Sequence, residues 1–290
     1  MVAFLIGKMV ELKQMYYNMK IALCFSGHMR DLNETKNFWS ELIKRYNIDV
    51  YASFWDSEDE KNGDTINNFL KIYTPKKYEV ESYKVFKETT QDFASMQIHT
   101  PDVLPQMFQE TSKAFGQLPM YYKIWRCNGL TKQLGIEYDL VIRARTDTLL
   151  DDNFQFIKND MLNIPVGTNM CAMFPYSDGI NDCFAYGTPK IMDYYSFLFL
   201  EMMNYLKSGH YLFPPEHFLL VHFNRVHIKI RFFPTYMLIT RVSKGKPHEI
   251  YNHFVKEPKE EIINSDEFID CIPNPEFTFY KNSIKDDFIV

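Results

Sequence analysis

Ile21-Ala-Leu-Cys-Phe-Ser-Gly-His-Met-Arg30 is the stretch that decides the fold. Ile21 to Phe25 is an unbroken apolar run, as a strand buried on both faces requires. Ser26-Gly27-His28 breaks it. Leu32, Thr35, Trp39, Leu42 and Tyr46 then recur at helical spacing on one face. Asp49-Val-Tyr-Ala-Ser-Phe-Trp-Asp56 reads as a second strand. Strand, helix and strand make a βαβ unit with a right-handed crossover. Ligands of such sheets bind beyond the carboxyl ends of the strands. Ser26 to Arg30 and Trp55-Asp56 fall there. The expectation is an α/β protein.

Working outward, residues 57–115 are polar, with a strand expected at Tyr78–Val85 and no chemistry legible in the rest. A helix is expected from Leu118 to Leu134, stopped by Gly135. Its apolar face holds Leu118, Tyr122, Trp125 and Leu130, with Lys123 and Arg126 on a neighbouring face. Tyr138-Asp-Leu-Val-Ile-Arg-Ala-Arg-Thr-Asp147 begins as a central strand and ends in alternating charges. Strands are expected at Met170–Phe174 and Cys183–Tyr186, and later at Ile228–Phe233 and Tyr236–Thr240. Thr188-Pro189 and Pro214-Pro215-Glu216 each open a helix. The chain thus divides into an appended segment 1–19, a first half 20–150, a second half 151–243 of the same domain, and a charged tail 244–290. Met19, just before the first strand, is a candidate native start.

The chain has 290 residues and a net charge of −5, which argues against a general nucleic-acid binder, since phosphate contacts need a basic footprint. Its five cysteines include no C-x-x-C pair, so neither a disulfide framework nor a zinc site is expected, and a reducing compartment is the simplest setting. There is no apolar run long enough for a membrane helix. Glycine is scarce, and neither a Walker A nor a G-x-G-x-x-G pattern occurs. An ordinary ATPase or dinucleotide-binding protein is not expected.

Asp147 is the strongest candidate for chemistry. A carboxylate at a buried strand end is costly unless paired or used. It can ligate Mg²⁺ or Mn²⁺, with Arg143 and Arg145 holding a diphosphate, or it can close a structural Arg–Asp network. The Ser26-Gly27-His28-Met29-Arg30 turn offers amides and a cation to an anion. Asp182, in Asn181-Asp-Cys-Phe-Ala-Tyr-Gly187, can act as a general base or serve as a turn aspartate. Phe184 and Tyr186 can supply an apolar platform for an acceptor sugar. Glu216 is either a base over the acceptor or a carboxylate placed by the helix dipole. His217 and His222 lack the spacing of a zinc-protease pair, and His222 suits a core position. Asp151 and Asp152 fit a turn.

Six segments, in order, resemble a family of GT-A type nucleotide-sugar-dependent glycosyltransferases found in large DNA viruses and bacterial polysaccharide clusters. They are the stretches already quoted at residues 21–30, 49–56, 138–147 and 181–187, with Met120-Tyr-Tyr-Lys-Ile-Trp-Arg-Cys-Asn128 and Pro215-Glu-His-Phe-Leu-Leu220. The resemblance implies a GT-A-like single domain, with a Rossmann-like mixed central sheet flanked by helices, that holds a nucleotide-diphosphate sugar in its first half and a glycan or glycoprotein acceptor in its second. It implies donor contacts from Ser26, Gly27, His28, Arg30, Trp55, Asp56, Lys123, Arg126, Arg143 and Arg145. Asp147 matches the last position of the family's metal-binding D-x-D motif, whose first position is here Arg145. Mn²⁺ or Mg²⁺ is therefore the implied cofactor, held by one carboxylate. Asp182 and Glu216 lie where such enzymes place the catalytic acid. A cytoplasmic location, in the host cytoplasm for a viral protein, is expected. Two alternatives stand beside this: a nucleotide-sugar-binding protein of the same fold with little or no turnover, and a nucleotidyltransferase.

Overall fold

The computed structural model describes residues 19–57, 65–90, 117–150, 154–165, 180–207, 215–226, 228–233, 237–239, 242–243 and 246–247. The segment before Met19, Asp151, Asp152, the expected strand Met170–Phe174, the side chain of His217 and most of the tail from 244 lie outside them.

The chain is mixed α/β. Seven strands form one mostly parallel sheet: β1 (Ile21–Gly27), β2 (Asp49–Trp55), β3 (Lys77–Glu81), β4 (Leu140–Ala144), β6 (Met161–Pro165), β7 (Phe184–Gly187) and β8 (Lys229–Phe233). Their order across the sheet is β3-β2-β1-β4-β7-β6-β8. β1 runs parallel to β2 and β4, β2 to β3, and β6 to β8, whereas β7 is antiparallel to both β4 and β6. One sheet therefore runs through the halves 20–150 and 151–243. Outside it, β5 (Thr148–Leu150) pairs with β9 (Met237–Ile239), and β10 (Val242–Ser243) with β11 (Lys246–Pro247). The helices are α1 (Leu32–Tyr46), α2 (Ile66–Tyr73), α3 (Tyr83–Thr89), α4 (Leu118–Leu130), α5 (Pro189–Lys207) and α6 (Pro215–Asn224). No helix among the described residues is long and apolar enough to cross a membrane.

The alternation of side chains along β1 builds two cores. Ile21, Leu23 and Phe25 pack with Trp39 and Leu42 of α1 and Phe69 and Tyr73 of α2. Ala22 and Cys24 face the other way, toward Tyr121, Ile124 and Cys127 of α4 and, farther along, Tyr195 and Leu198 of α5. Phe25 meets the ring of Trp39 edge-on at 5.1 Å and that of Phe69 at 5.5 Å. Burying a ring of this kind contributes roughly 1.5–3 kcal/mol.

Two expectations need correction. The segment expected as a strand to Val85 leaves the sheet at Glu81 and becomes α3. Ser82 caps that helix by accepting from Val85 N, and Asp56 accepts from Tyr83 N. The helix expected to reach Leu134 ends at Leu130, and Gly135 takes a positive φ of 65° farther on. Its buried face also differs, because α4 is covered by the sheet below and by α5 beside it. Tyr121, Lys123, Ile124 and Cys127 point inward, while Tyr122 and Trp125 are half-buried and lean on Phe199 of α5.

From β1 the chain moves through β2 to β3 on one side, then returns with β4 on the other. That reversal is the position where open α/β sheets bind ligands. It is tightly tied here. Arg30 N donates to Thr146 Oγ1 and Thr146 Oγ1 donates to Arg30 O, each at 2.9 Å. Thr35 Oγ1 donates to Thr146 O. Gly27, at φ 109°, lets the chain leave β1 in a conformation that side chains rarely adopt. Asp31, at φ 46°, is a left-handed residue without that excuse, and such strain is held in place by the surrounding contacts.

Candidate functional site

Three segments meet beyond the carboxyl end of β4: residues 143–147, residues 180–183 before β7, and the start of α6. Ile180 N donates to Glu216 O at 2.9 Å, which draws the β7 approach onto α6. Tyr121 of α4 donates its hydroxyl to Pro215 O at 2.8 Å, and Tyr195 of α5 donates to Asn181 O at 3.1 Å. These ties hold buried Asp182 and Glu216 beside buried Asp147 and the partly buried Arg145.

The turn before β7 is made by Asn181, not Asp182. Asn181 Oδ1 accepts from the backbone N–H groups of Cys183 and Phe184 at 2.7 and 2.9 Å. That releases Asp182 from the turn. Asp182 Oδ1 instead accepts from the Cys183 thiol, at 3.0 Å. Burial, and next Asp182, push that thiol well above its ordinary pKa, so it stays protonated and donating.

Glu216 sits in the first turn of α6, where the helix dipole favours a carboxylate. Burial outweighs the dipole. It pushes the Glu216 pKa up to about 8, Asp182 pushes the same way, and Arg145 opposes both. The unfolded chain loses this proton near the ordinary glutamate value, so from about pH 4.5 to about 8 the folded state holds one proton more. Stability is therefore expected to fall as pH rises through that window, by about 1.4 kcal/mol per pH unit at most. Urea unfolding of the wild type and of Glu216→Gln at a series of pH values checks this. The variant should show a flatter profile across the window.

Asp147 is 1% exposed, and both its oxygens accept from Arg145, at 2.8 Å from Nε and 2.5 Å from Nη2. Burial works against the Arg145 charge, but Asp147 and Asp182 outweigh it and hold the guanidinium firmly protonated. The two-pronged fork takes the oxygens that a divalent ion would need. Among the described residues no group of three or more His, Cys, Asp and Glu side chains is arranged to hold a metal. The residues as arranged do not fit the Mn²⁺ or Mg²⁺ that the sequence resemblance implied at Asp147.

Of the other expected donor contacts, His28, Trp55, Asp56, Lys123 and Arg126 fall in a second cluster near the ends of β2 and β3, while Ser26, Gly27 and Arg30 stay at the end of β1. Lys123 is fully buried, with Nζ 2.6 Å from Glu81 Oε2 and 4.4 Å above the Trp55 ring. Burial lowers its pKa, and Glu81 opposes that. Arg126 makes two bonds to Glu79, at 3.0 and 2.6 Å, and Glu79 also accepts from Ser53. Trp55 is 1% exposed beneath Tyr122, Phe86 and Tyr83. Asp56 receives Tyr83 N, which lowers its pKa and spends one oxygen on starting α3. His28 bonds Ser57 and meets Tyr83 edge-on, and burial lowers its pKa to about 4, with Arg30 and Arg145 adding to the shift. It is neutral at neutral pH. Lys123, Arg126 and Trp55 thus occupy structural positions, in place of the open donor-facing positions expected of them.

Phe184 and Tyr186 also need correction as an acceptor platform. Both are 0% exposed and pack into the core with Phe154, and Tyr186 Oη receives Ile157 N. Trp39 covers Phe184 and Phe156 covers Tyr186 on the same side of the sheet, which leaves them no open face. His222 is a satisfied core histidine, bonded to Tyr194 O and Tyr205 Oη and stacked on Tyr194 at 4.1 Å.

Sequence reasoning passed over Glu79, Glu81, Asn181, Tyr121 and Tyr195. The first two had a signal. Glutamates two apart in a strand share one face, and they match Lys123 and Arg126 one helical turn apart. No family model matches this chain, and neither does any curated protein.

Proposed function

We propose that this protein is a GT-A type glycosyltransferase that moves a sugar from a nucleotide-diphosphate sugar to a hydroxyl of a glycan or glycoprotein. The observation that carries this is the pairing of Asp182 with Glu216 beside Arg145, at the sheet's ligand-binding end. A buried carboxyl group with its pKa near the working pH suits proton transfer. In this reading Glu216, as the carboxylate, takes the proton of the acceptor hydroxyl while that oxygen attacks the anomeric carbon. The bond from that carbon to the diphosphate breaks, and its electron pair leaves with the nucleoside diphosphate. Asp182 keeps Glu216 basic, because a neighbouring negative charge favours the protonated form. Arginine charge at the strand end stabilises the departing phosphate.

A second reading, a nucleotide-sugar-binding protein without turnover, draws on the closed Arg145–Asp147 pair, which leaves the expected metal ligand engaged. Both readings predict binding. UDP-, GDP-, CMP- and dTDP-sugars are screened by thermal shift, with Mn²⁺ and with EDTA. At least one donor should stabilise the protein, by about 2.7 kcal/mol at a hundred times its dissociation constant. The shift should be the same with Mn²⁺ as with EDTA. If none of the four stabilises the protein, both readings fall.

A further inference from the structure

Asp182 and Glu216 are two carboxyl groups in one buried place, and their surroundings differ. Asp182 Oδ1 accepts from the Cys183 thiol at 3.0 Å, whereas the Glu216 carboxyl meets its own backbone N–H. Among the described residues, that thiol is the one side chain that donates to either carboxyl group.

Cys183 is not free to turn away. Asn181 Oδ1 holds its backbone N–H at 2.7 Å, and Arg145 N donates to its carbonyl at 3.1 Å. Its sulfur also accepts from Arg145 Nη1 at 3.4 Å. The guanidinium thus grips Asp147 with two nitrogens and Cys183 with the third. With Arg145 on its lone pair and Asp182 on its hydrogen, the thiol has one orientation. A hydrogen bond donated to a carboxylate favours its charged form. Where two carboxyl groups share a low-dielectric site, the one with the donor keeps the charge and the other takes the proton. A buried thiol otherwise behaves as a small apolar group. What cysteine adds here over alanine or valine is the donor.

We propose that Cys183 is a positioning residue that gives the two carboxyl groups unlike roles: its thiol, oriented by Arg145, fixes Asp182 as the charged partner and leaves Glu216 to carry the proton. This deepens the proposed function and rests on it only for what the proton is used for. The other groups facing the pair do not supply the difference. Tyr121 of α4 and Tyr195 of α5 give their hydroxyl hydrogens to Pro215 O and Asn181 O, and burial pushes both hydroxyls well above the ordinary tyrosine range. Asp147 has both oxygens on Arg145. Arg143, on β4, is buried with no hydrogen-bond partner for its guanidinium, and arginine keeps its charge throughout the working range.

The test follows the protons by carbon-13 NMR of the full chain, labelled at the side-chain carboxyls of Asp and Glu. Glu216→Gln and Asp182→Asn identify the two signals. In the wild type the Glu216 signal should titrate at about pH 8, with the Asp182 signal flat through that range. Cys183→Ala should lower the Glu216 midpoint by about one pH unit, the size of one charged hydrogen bond, and bring the Asp182 signal into the same titration. Cys183→Ser, which restores a donor, should return both signals to wild-type behaviour. Unchanged titrations in Cys183→Ala overturn the proposal, and so does a Cys183→Ser variant that behaves like the alanine one. If Cys183→Ala does not fold, Cys183→Val is read by the same criteria. Failure of both to fold also overturns the proposal, since the thiol would then be serving the fold. The readout needs no turnover. The predicted titrations, together with no release of nucleotide from any nucleotide sugar, support the role of Cys183 and remove the glycosyl-transfer reading.

Discussion

Glu216→Gln is expected to slow sugar transfer about 10²–10⁴-fold, the range for losing a general base, while donor affinity stays within a few-fold of wild type. Glutamine keeps the size of the side chain and its place in α6 but cannot accept the proton. Glu216 is held at the start of α6 by backbone contacts, Ile180 N to Glu216 O and Tyr121 Oη to Pro215 O, and neither needs the carboxyl group. The substitution therefore isolates the chemistry. Asp182→Asn probes the partner. Without its negative charge the Glu216 pKa should drop, and the low-pH limb of the rate profile should move down with it. A profile measured on both variants separates base from partner. Equal loss of turnover in each, with no movement of the Asp182→Asn profile, contradicts the assignment of roles.

Asp147→Ala is expected to be the most destabilising single change at the site. It leaves the Arg145 guanidinium buried without the carboxylate that takes two of its bonds. Breaking a buried pair from one side costs about 3–5 kcal/mol, against a total stability of roughly 5–15 kcal/mol. For a chain of this size that is a fall in melting temperature of about 10 °C. Replacing both partners, Arg145→Met with Asp147→Leu, should recover most of it, since an apolar pair of similar volume carries no stranded charge. A fall of under about 2 °C in Asp147→Ala would mean that the carboxylate is held for a ligand and not for Arg145.

The sheet was legible because its strands obey simple patterns. The apolar run of Ile21 to Phe25 and the spacing of Leu32, Thr35, Trp39 and Leu42 each have one structural solution. Asp182 and Glu216 were legible as separate candidates, each with a bland alternative. Their proximity was not, because it depends on one backbone bond between Ile180 and Glu216 and on two tyrosine hydroxyls. Phe184 and Tyr186 misled for a related reason. An aromatic residue in a strand reads the same whether its face is open or covered, and here rings distant in sequence, Trp39, Phe154 and Phe156, cover it. Lys123 and Arg126 misled because their partners, Glu79 and Glu81, come from an edge strand whose polar pattern hides its place in the sheet. Arg143 and Arg145 look alike in sequence. Their opposite states, one unpaired and one doubly bonded, follow from which flanking side chains reach them.

The most direct measurement of the central claim is release of nucleotide from UDP-, GDP-, CMP- and dTDP-sugars by the purified protein, with Glu216→Gln run alongside. The account predicts steady release from at least one donor by the wild type, undiminished in EDTA, and release at about one hundredth of that rate or less by the variant. Equal rates in the two proteins, or no release by the wild type from a donor that it binds, would contradict it.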